Sequence, residues 1–268
     1  MRRRGLAAGV LALALLTGCA PSVAPLERLG EKAAQRVRAH GPTGTAAPPY
    51  RRWGLPEPLA HPPSPAHAPA ARRARPLPVV RRVPTRDKVV FLTYDDGAER
   101  DPRFVDMVRE LRLPVSMFLT DRVAGPGHGH FARLRSAGAR IQNHTLDHSA
   151  LRGLPYAGQR AEICGQQDKL RSRFGVRPRF FRPPYGAYDT TTLRAAADCG
   201  VSAVVLWRAS MEARQPTFAR GEPRLRPGDI VSVPSGEPAS PTLVERTRGL
   251  LRAVERRGLT VGRLEDYL

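Results

Sequence analysis

From residue 86 to its end the sequence predicts an α/β domain, an incomplete (β/α) barrel of about seven strands, preceded by a disordered proline-rich tether. Three observations predict it. Short apolar runs of strand length alternate with longer segments of helical spacing, the pattern of parallel strands joined by crossover helices. Polar residues gather just behind the apolar runs, where barrels of this kind carry their chemistry. Ahead of residue 86 the composition changes: fourteen of the 27 prolines fall between Pro21 and Pro84. An open parallel sheet is the alternative, and about seven strand-helix units fit a barrel better.

The 268 residues suffice for one large domain with additions, and 41% hydrophobic residues suffice for a core. The formal net charge is +20, carried almost entirely by arginine. Such a charge fits a solvated surface, or attraction to anionic lipid or an acidic cell-wall polymer. No zinc-finger, helix-turn-helix or RNA-binding signature accompanies it, so no nucleic-acid partner is expected.

The first residues read as an export signal. Met1-Arg2-Arg3-Arg4 is basic, and residues 6–16 are apolar but too short to span a bilayer comfortably. Leu16-Thr17-Gly18-Cys19-Ala20 then resembles the lipobox of bacterial lipoproteins, which implies a signal peptide over 1–19, acylation of Cys19, and an extracytoplasmic, membrane-anchored protein. The alternative is ordinary cleavage nearby, with Cys19 discarded. Residues 20–85 form the tether, where proline removes backbone donors and fixes φ. Within it, Leu26, Leu29, Ala33 and Val37 line one face of a short helix over 25–40. His40, His61 and His67 read as spacer residues. Arg72, Arg73, Arg75, Arg81 and Arg82 suit a polyanionic wall polymer or anionic lipid heads.

In the domain, Lys88-Val89-Val90-Phe91-Leu92-Thr93-Tyr94 reads as a buried first strand. Helical spacing follows over 102–111, a second strand over 115–119 and a second helix over 131–137, closed by Gly138. Residues 140–143 form a third strand, 156–174 a long helix stopped by Gly175, and 179–182 a fourth strand. A helix over 190–199 ends at Gly200, a common capping residue. Fifth and sixth strands cover 201–207 and 229–233. The last helix, 241–257, has proline near its start and glycine past its end, and a short strand closes at 259–261.

The chemistry collects at strand exits. The first carries Asp95-Asp96-Gly97, the third Asn143-His144-Thr145-Leu146-Asp147-His148, and the fourth Arg182-Pro183-Pro184-Tyr185-Gly186. If 144–148 forms a helical turn, both imidazoles share one face. Asp-Asp-Gly alone is good turn chemistry. With two histidines at the same rim, a two-histidine, one-carboxylate metal site with open positions is the better reading.

Thr93-Tyr94-Asp95-Asp96-Gly97, His144-Thr145-x-x-His148 and Arg182-x-Pro184-Tyr185-Gly186, in that order, resemble the polysaccharide deacetylase family over residues 86–268. The resemblance implies a distorted (β/α) barrel and metal-dependent removal of acetyl groups from a polysaccharide such as peptidoglycan or chitin. It implies that Asp96, His144 and His148 hold a divalent metal, usually zinc, and that Asp95 is the general base. Arg182 then orients that base, and the Tyr185 backbone N–H stabilises the oxyanion. Asn143 and Asp147 are candidate partners of the imidazoles, or plain cap and solvent contacts.

The match fails at one pair. Family members carry an Asp after strand five and a His at the end of strand six, the general acid. Here 204–210 hold no carboxylate before Glu212, and Pro234 stands where the His is expected. Three readings follow: Asp95 shuttles the proton itself, His128 or His130 supplies the acid, or the protein binds metal and glycan without turnover. O-deacetylation suffers less from the loss than N-deacetylation, since an alkoxide leaves more readily than an amide anion. Trp207 and Tyr188 are candidates for sugar stacking or core packing. Cys164 and Cys199 either pair, as export permits, or stay as two buried thiols. The loops 121–129 and 211–223 would shape the groove, and two histidines with one aspartate also accept cobalt or nickel.

Overall fold

Val89-Val90-Phe91-Leu92-Thr93-Tyr94-Asp95-Asp96 forms the central strand, buried on both faces over its first seven residues, as a strand inside a parallel sheet should be. The computed structural model describes residues 47–65, 76–219, 221–235 and 241–268. In chain order these give α1 (Pro49–Arg52), β1 (Val79–Val80), β2 (Val89–Asp96), α2 (Pro102–Glu110), β3 (Val115–Leu119), α3 (Asp121–Ala124), α4 (His128–Ser136), β4 (Arg140–Asn143) and α5 (Tyr156–Phe174). There follow β5 (Phe180–Phe181), α6 (Thr190–Asp198), β6 (Ala203–Val205), β7 (Ala209–Ser210), β8 (Thr217–Phe218), β9 (Ile230–Val233), α7 (Leu243–Arg256) and β10 (Thr260–Val261).

The strands lie in the order β1-β6-β5-β4-β3-β2-β9-β7-β8, with β10 pairing the start of β2. All pairs are parallel except the β7–β8 hairpin. This is the incomplete α/β barrel that the alternation predicts, with ten strands rather than about seven. The seven predicted strands are all present. β1, β7 and β8 are additions of two residues each, too short to show a period.

Local chemistry starts and stops the helices. The Asp101 carboxylate accepts the Arg103 N–H at 2.9 Å, and Pro102 opens α2. Asp189 and Thr192 close a reciprocal capping box on α6, as Thr242 and Glu245 do on α7. Gly175, at φ 65°, ends α5 in the left-handed conformation that a side chain disfavours.

The tether boundary at residue 85 is corrected by the structure. The packed unit begins at Ala47. Trp53 and Leu55 are buried in the main core, and the Trp53 indole donates to Glu110 at 2.8 Å. Arg252 donates to the Gly54 carbonyl, and Tyr267 to that of Pro63. Proline stops 47–65 from forming long elements but leaves its carbonyls as acceptors, so it docks as a strap. β1 then adds to β6 in parallel. Loop 121–129 is also corrected, since it is helical. The signal peptide with Cys19, the 25–40 helix, His40, His67, Arg72, Arg73 and Arg75 lie outside the described residues. No helix among the described residues is long and apolar enough to cross a membrane.

Candidate metal and acid-base site

β2, β3, β4 and β5 run parallel, so their exits share one rim. At that rim the backbone turns sharply. Among the described residues five non-glycine positions have positive φ, and four are Asp96 (66°), Thr145 (71°), His148 (59°) and Tyr185 (60°). Such conformations cost about 1–3 kcal/mol each and persist where the surroundings impose them. Gly97, at φ 93°, has no room for a side chain: a Cβ would lie 2.8 Å from the Phe131 ring.

The two histidines do not meet on a helical turn. His144 leaves β4, and residues 144–148 form an irregular loop tied to α5. Asn143 donates to the Ile163 carbonyl at 2.9 Å and accepts the Thr145 N–H at 2.9 Å. The Thr145 hydroxyl accepts the His148 N–H at 3.1 Å, and Glu162 accepts the Asp147 N–H at 3.0 Å. Asn143 and Asp147 therefore shape the loop through their side-chain and backbone bonds rather than by holding an imidazole. The rings end 4.9 Å apart, centroid to centroid.

Asp96 Oδ1 lies 3.3 Å from His144 Nε2 and 3.0 Å from His148 Nε2. The ligand atoms of all three residues lie within 4.8 Å of one another. His144 Nδ1 sits 2.7 Å from the Arg182 carbonyl. A carbonyl only accepts, so Nδ1 carries the proton and Nε2 keeps its lone pair. That lone pair faces a carboxylate oxygen, which is buried and has no hydrogen bond of proper geometry. Lone pairs facing one another at this distance repel unless a cation lies between them. The donor set thus fits a divalent metal on its own chemistry.

Asp95, one residue earlier, is buried and held on both oxygens. Arg182 Nη1 donates to Oδ1 at 2.6 Å and the Ser232 hydroxyl donates to Oδ2 at 2.6 Å. Arg182 is fully buried, with further bonds to the Thr93 hydroxyl and the Val205 carbonyl, and lies over the rings of Phe118 and Trp207. Burial pulls its guanidinium down from the usual range, with Asp95 opposing. Trp207 packs on Arg182 at 5.3 Å, and Tyr188 packs against the core beside α6. Tyr185 is 71% exposed, and its ring stands 5.0 Å from that of His148.

Pro234 follows β9, and its carbonyl accepts from Arg246, which pairs with Glu99 at 2.9 Å. Neither alternative acid joins the site. His128 faces Asp121 and the Phe174 ring. His130 is buried on α4 beside Arg133, Arg100 and Asp101. Glu212 accepts from Ser210. Cys164 and Cys199 form a disulfide joining α5 to the end of α6. Sequence reasoning missed Ser232, Thr93 and the exposed Tyr185 ring. Ser232 was detectable as the lone polar residue of an apolar strand, and it is the register partner of Thr93.

The polysaccharide deacetylase family model matches residues 82–204. The chain is 64% identical over 200 residues to an uncharacterized protein of Streptomyces coelicolor, covering 74% of this chain and 80% of that one. It is 29% identical over 195 residues to a chitooligosaccharide deacetylase of Bradyrhizobium, covering 64% of this chain and 87% of the relative. Among solved structures it resembles a CE4 family pseudoenzyme of Bacillus anthracis, with a TM-score of 0.61 and 20% identity over 72% of this chain and 69% of the other. At that identity the likeness speaks for the fold alone.

Proposed function

Since the chain belongs to the polysaccharide deacetylase family, we propose that it is a metal-dependent hydrolase that removes acetyl groups from a cell-wall or related polysaccharide. The acetyl group is an N-acetyl of GlcNAc-type sugars or an O-acetyl. One observation carries the reading: the ligand atoms of Asp96, His144 and His148 converge next to Asp95, which is pinned by Arg182 and Ser232. Asp96, His144 and His148 would hold the cation, with zinc suited to two imidazoles and a carboxylate. When bound, it acidifies water and polarises an acetyl carbonyl. Asp95 takes the proton of the attacking water, and Arg182, bonded to its Oδ1, fixes its orientation beside Asp96. The Tyr185 N–H donates to the oxyanion of the tetrahedral intermediate. The C–N or C–O bond then breaks, acetate forms, and the proton on Asp95 passes to the departing sugar nitrogen or oxygen.

The test is acetate release from peptidoglycan, chitin oligomers and acetylxylan with added zinc. Release should stop with chelator and fall by about 10²–10⁴-fold in Asp95→Asn. A second reading rests on Pro234, which offers no proton where the family places its acid. On it the chain binds metal and glycan without turnover. Stoichiometric zinc and glycan retention without acetate would establish that reading, and a protein that takes up no zinc would end both.

The sequence of residues 1–19 supports work outside the membrane, on a lipid anchor at Cys19. Cys19→Ser should move the protein from the membrane fraction to the soluble one. Retention in the membrane would exclude that anchor.

A further inference from the structure

Outside the metal site, α7 carries an unusual concentration of charge. A groove of about 270 Å³ opens along it, lined by Arg214, Glu245, Arg248, Gly249, Arg252 and Arg256. Arg248, Arg252 and Arg256 are spaced i, i+4, i+8, which places them on one side of the helix at a rise of about 6 Å per step. Arg214 comes from the β7–β8 connection, which packs directly on the helix at Gly249: a Cβ there would lie 2.9 Å from Met211 Cε and 3.3 Å from the Arg214 carbonyl oxygen. The Arg248 and Arg252 guanidinium groups stand side by side over Gly54, each with a terminal nitrogen within 3 Å of where a Gly54 Cβ would be.

None of these four guanidinium groups pairs with a carboxylate among the described residues. Arg252 donates to the Gly54 carbonyl, while Arg248 Nε is buried without a partner. Glu245 is committed to the helix cap, where it accepts the Thr242 N–H at 2.8 Å. Elsewhere the fold pairs its enclosed arginines: Arg246 with Glu99, Arg182 with Asp95, Arg208 with Asp229. Glu245 lies within electrostatic reach of Arg214 and Arg248, and Glu255 of Arg252, yet two carboxylates against four guanidinium groups leave the groove net positive, which favours an anion. A single small anion would meet one or two of them, whereas the repeat along the helix matches an anion that also repeats. Guanidinium forks bind phosphate bidentately, and the side-by-side pair suits a group whose oxygens point in several directions, as a phosphate's do and a planar carboxylate's do not.

We propose that the Arg214–Arg248–Arg252–Arg256 groove binds a phosphodiester-linked polyanion along α7, independently of the metal site. The test is binding of a poly(glycerol phosphate) oligomer of about eight repeats to the full chain over a range of salt. Arg248→Gln with Arg256→Gln should weaken binding at least about fivefold and lower the slope of log K against log salt by about 1.4, roughly 0.7 for each phosphate no longer neutralised. The control removes the same charge from exposed positions on α4, Arg133→Gln with Arg135→Gln, and should stay within about twofold of wild type, with thermal unfolding checking that both variants fold. Equal weakening in the control would overturn the proposal, because the binding would then be general charge. So would equal affinity for a polygalacturonate of similar length, or binding to anionic lipid vesicles with none to the oligomer.

Discussion

Asp95 and Pro234 set the chemistry at the scale of single residues. Arg182 holds Asp95 Oδ1 and Ser232 holds Oδ2, which leaves a lone pair on each oxygen. The carboxylate is therefore aimed by two donors and still able to accept, suited to taking a proton. Returning that proton to a poor leaving group is the harder half of the reaction, and no acid stands at Pro234 to help. Pro234→His supplies an imidazole at that exit. We expect it to raise release from an N-acetylated substrate by about tenfold or more, and from an O-acetylated one far less, because an alkoxide needs less assistance. The measurement is the ratio of the two rates in wild type and variant. Equal changes in both would show that leaving-group protonation does not limit the reaction. Sequence alone singled out all three prospective ligands and Asp95, because Asp95 and Asp96 end one apolar strand and His144 and His148 fall within five residues of the end of another. It failed on the path between the histidines: the i, i+4 spacing resembles a helical turn, yet Asn143 and Thr145 divert their hydrogen bonds into a local loop and leave two residues at positive φ.

At the scale of elements, strands and helices with strong local signals were legible and those without were not. α5 runs from Tyr156 to Phe174 as expected, since Gly175 is the one residue nearby that turns left-handed at no steric cost. β1, β7 and β8 exist through their partners, and two residues carry no periodic trace. α6 shows how a cap translates into pH dependence. Its Asp189 carboxylate accepts from the Gly153 N–H at 3.0 Å and the Thr192 N–H at 2.8 Å. Led by the Gly153 bond, with burial opposing, these bonds hold its pKa at about 2, against an ordinary 3.8. Between those values the unfolded chain binds more protons than the folded one. The cap's contribution is thus whole above about pH 4 and is lost as pH falls toward 2. We expect Asp189→Ala to cost about 1 kcal/mol at neutral pH, a figure set by the cap itself because solvent screens the charge. The difference from wild type in urea unfolding should shrink as pH drops to 2. A constant difference would mean that the cap acts without its charge.

For the whole molecule, the decisive feature is the one the composition concealed. Proline-rich sequence ahead of residue 86 reads as spacer, yet residues 47–65 close the barrel from below. They reach Glu110 at the end of α2, Arg252 late in α7, Thr260 in β10 and Tyr267. All four mark the end at which the strands begin, and the metal-ligand cluster stands at the end where β2 finishes. Eight residues of β2 at about 3.3 Å each separate the two ends by roughly 25 Å. The proline-rich segment anchors through a few apolar side chains: Trp53 and Leu55 are buried in the main core, and the Trp53 indole also donates to Glu110 at 2.8 Å. Trp53→Ala should cost about 3–5 kcal/mol in chemical unfolding, the range for emptying a buried aromatic site. At that distance zinc uptake by the folded variant should stay within about twofold of wild type, since mutations so far apart with no shared partner act independently. A loss of zinc alongside the loss of stability would mean that the strap fixes the strand exits through the sheet. Unchanged stability would mean that the strap is not part of the cooperative fold, and that the folded unit begins near β1.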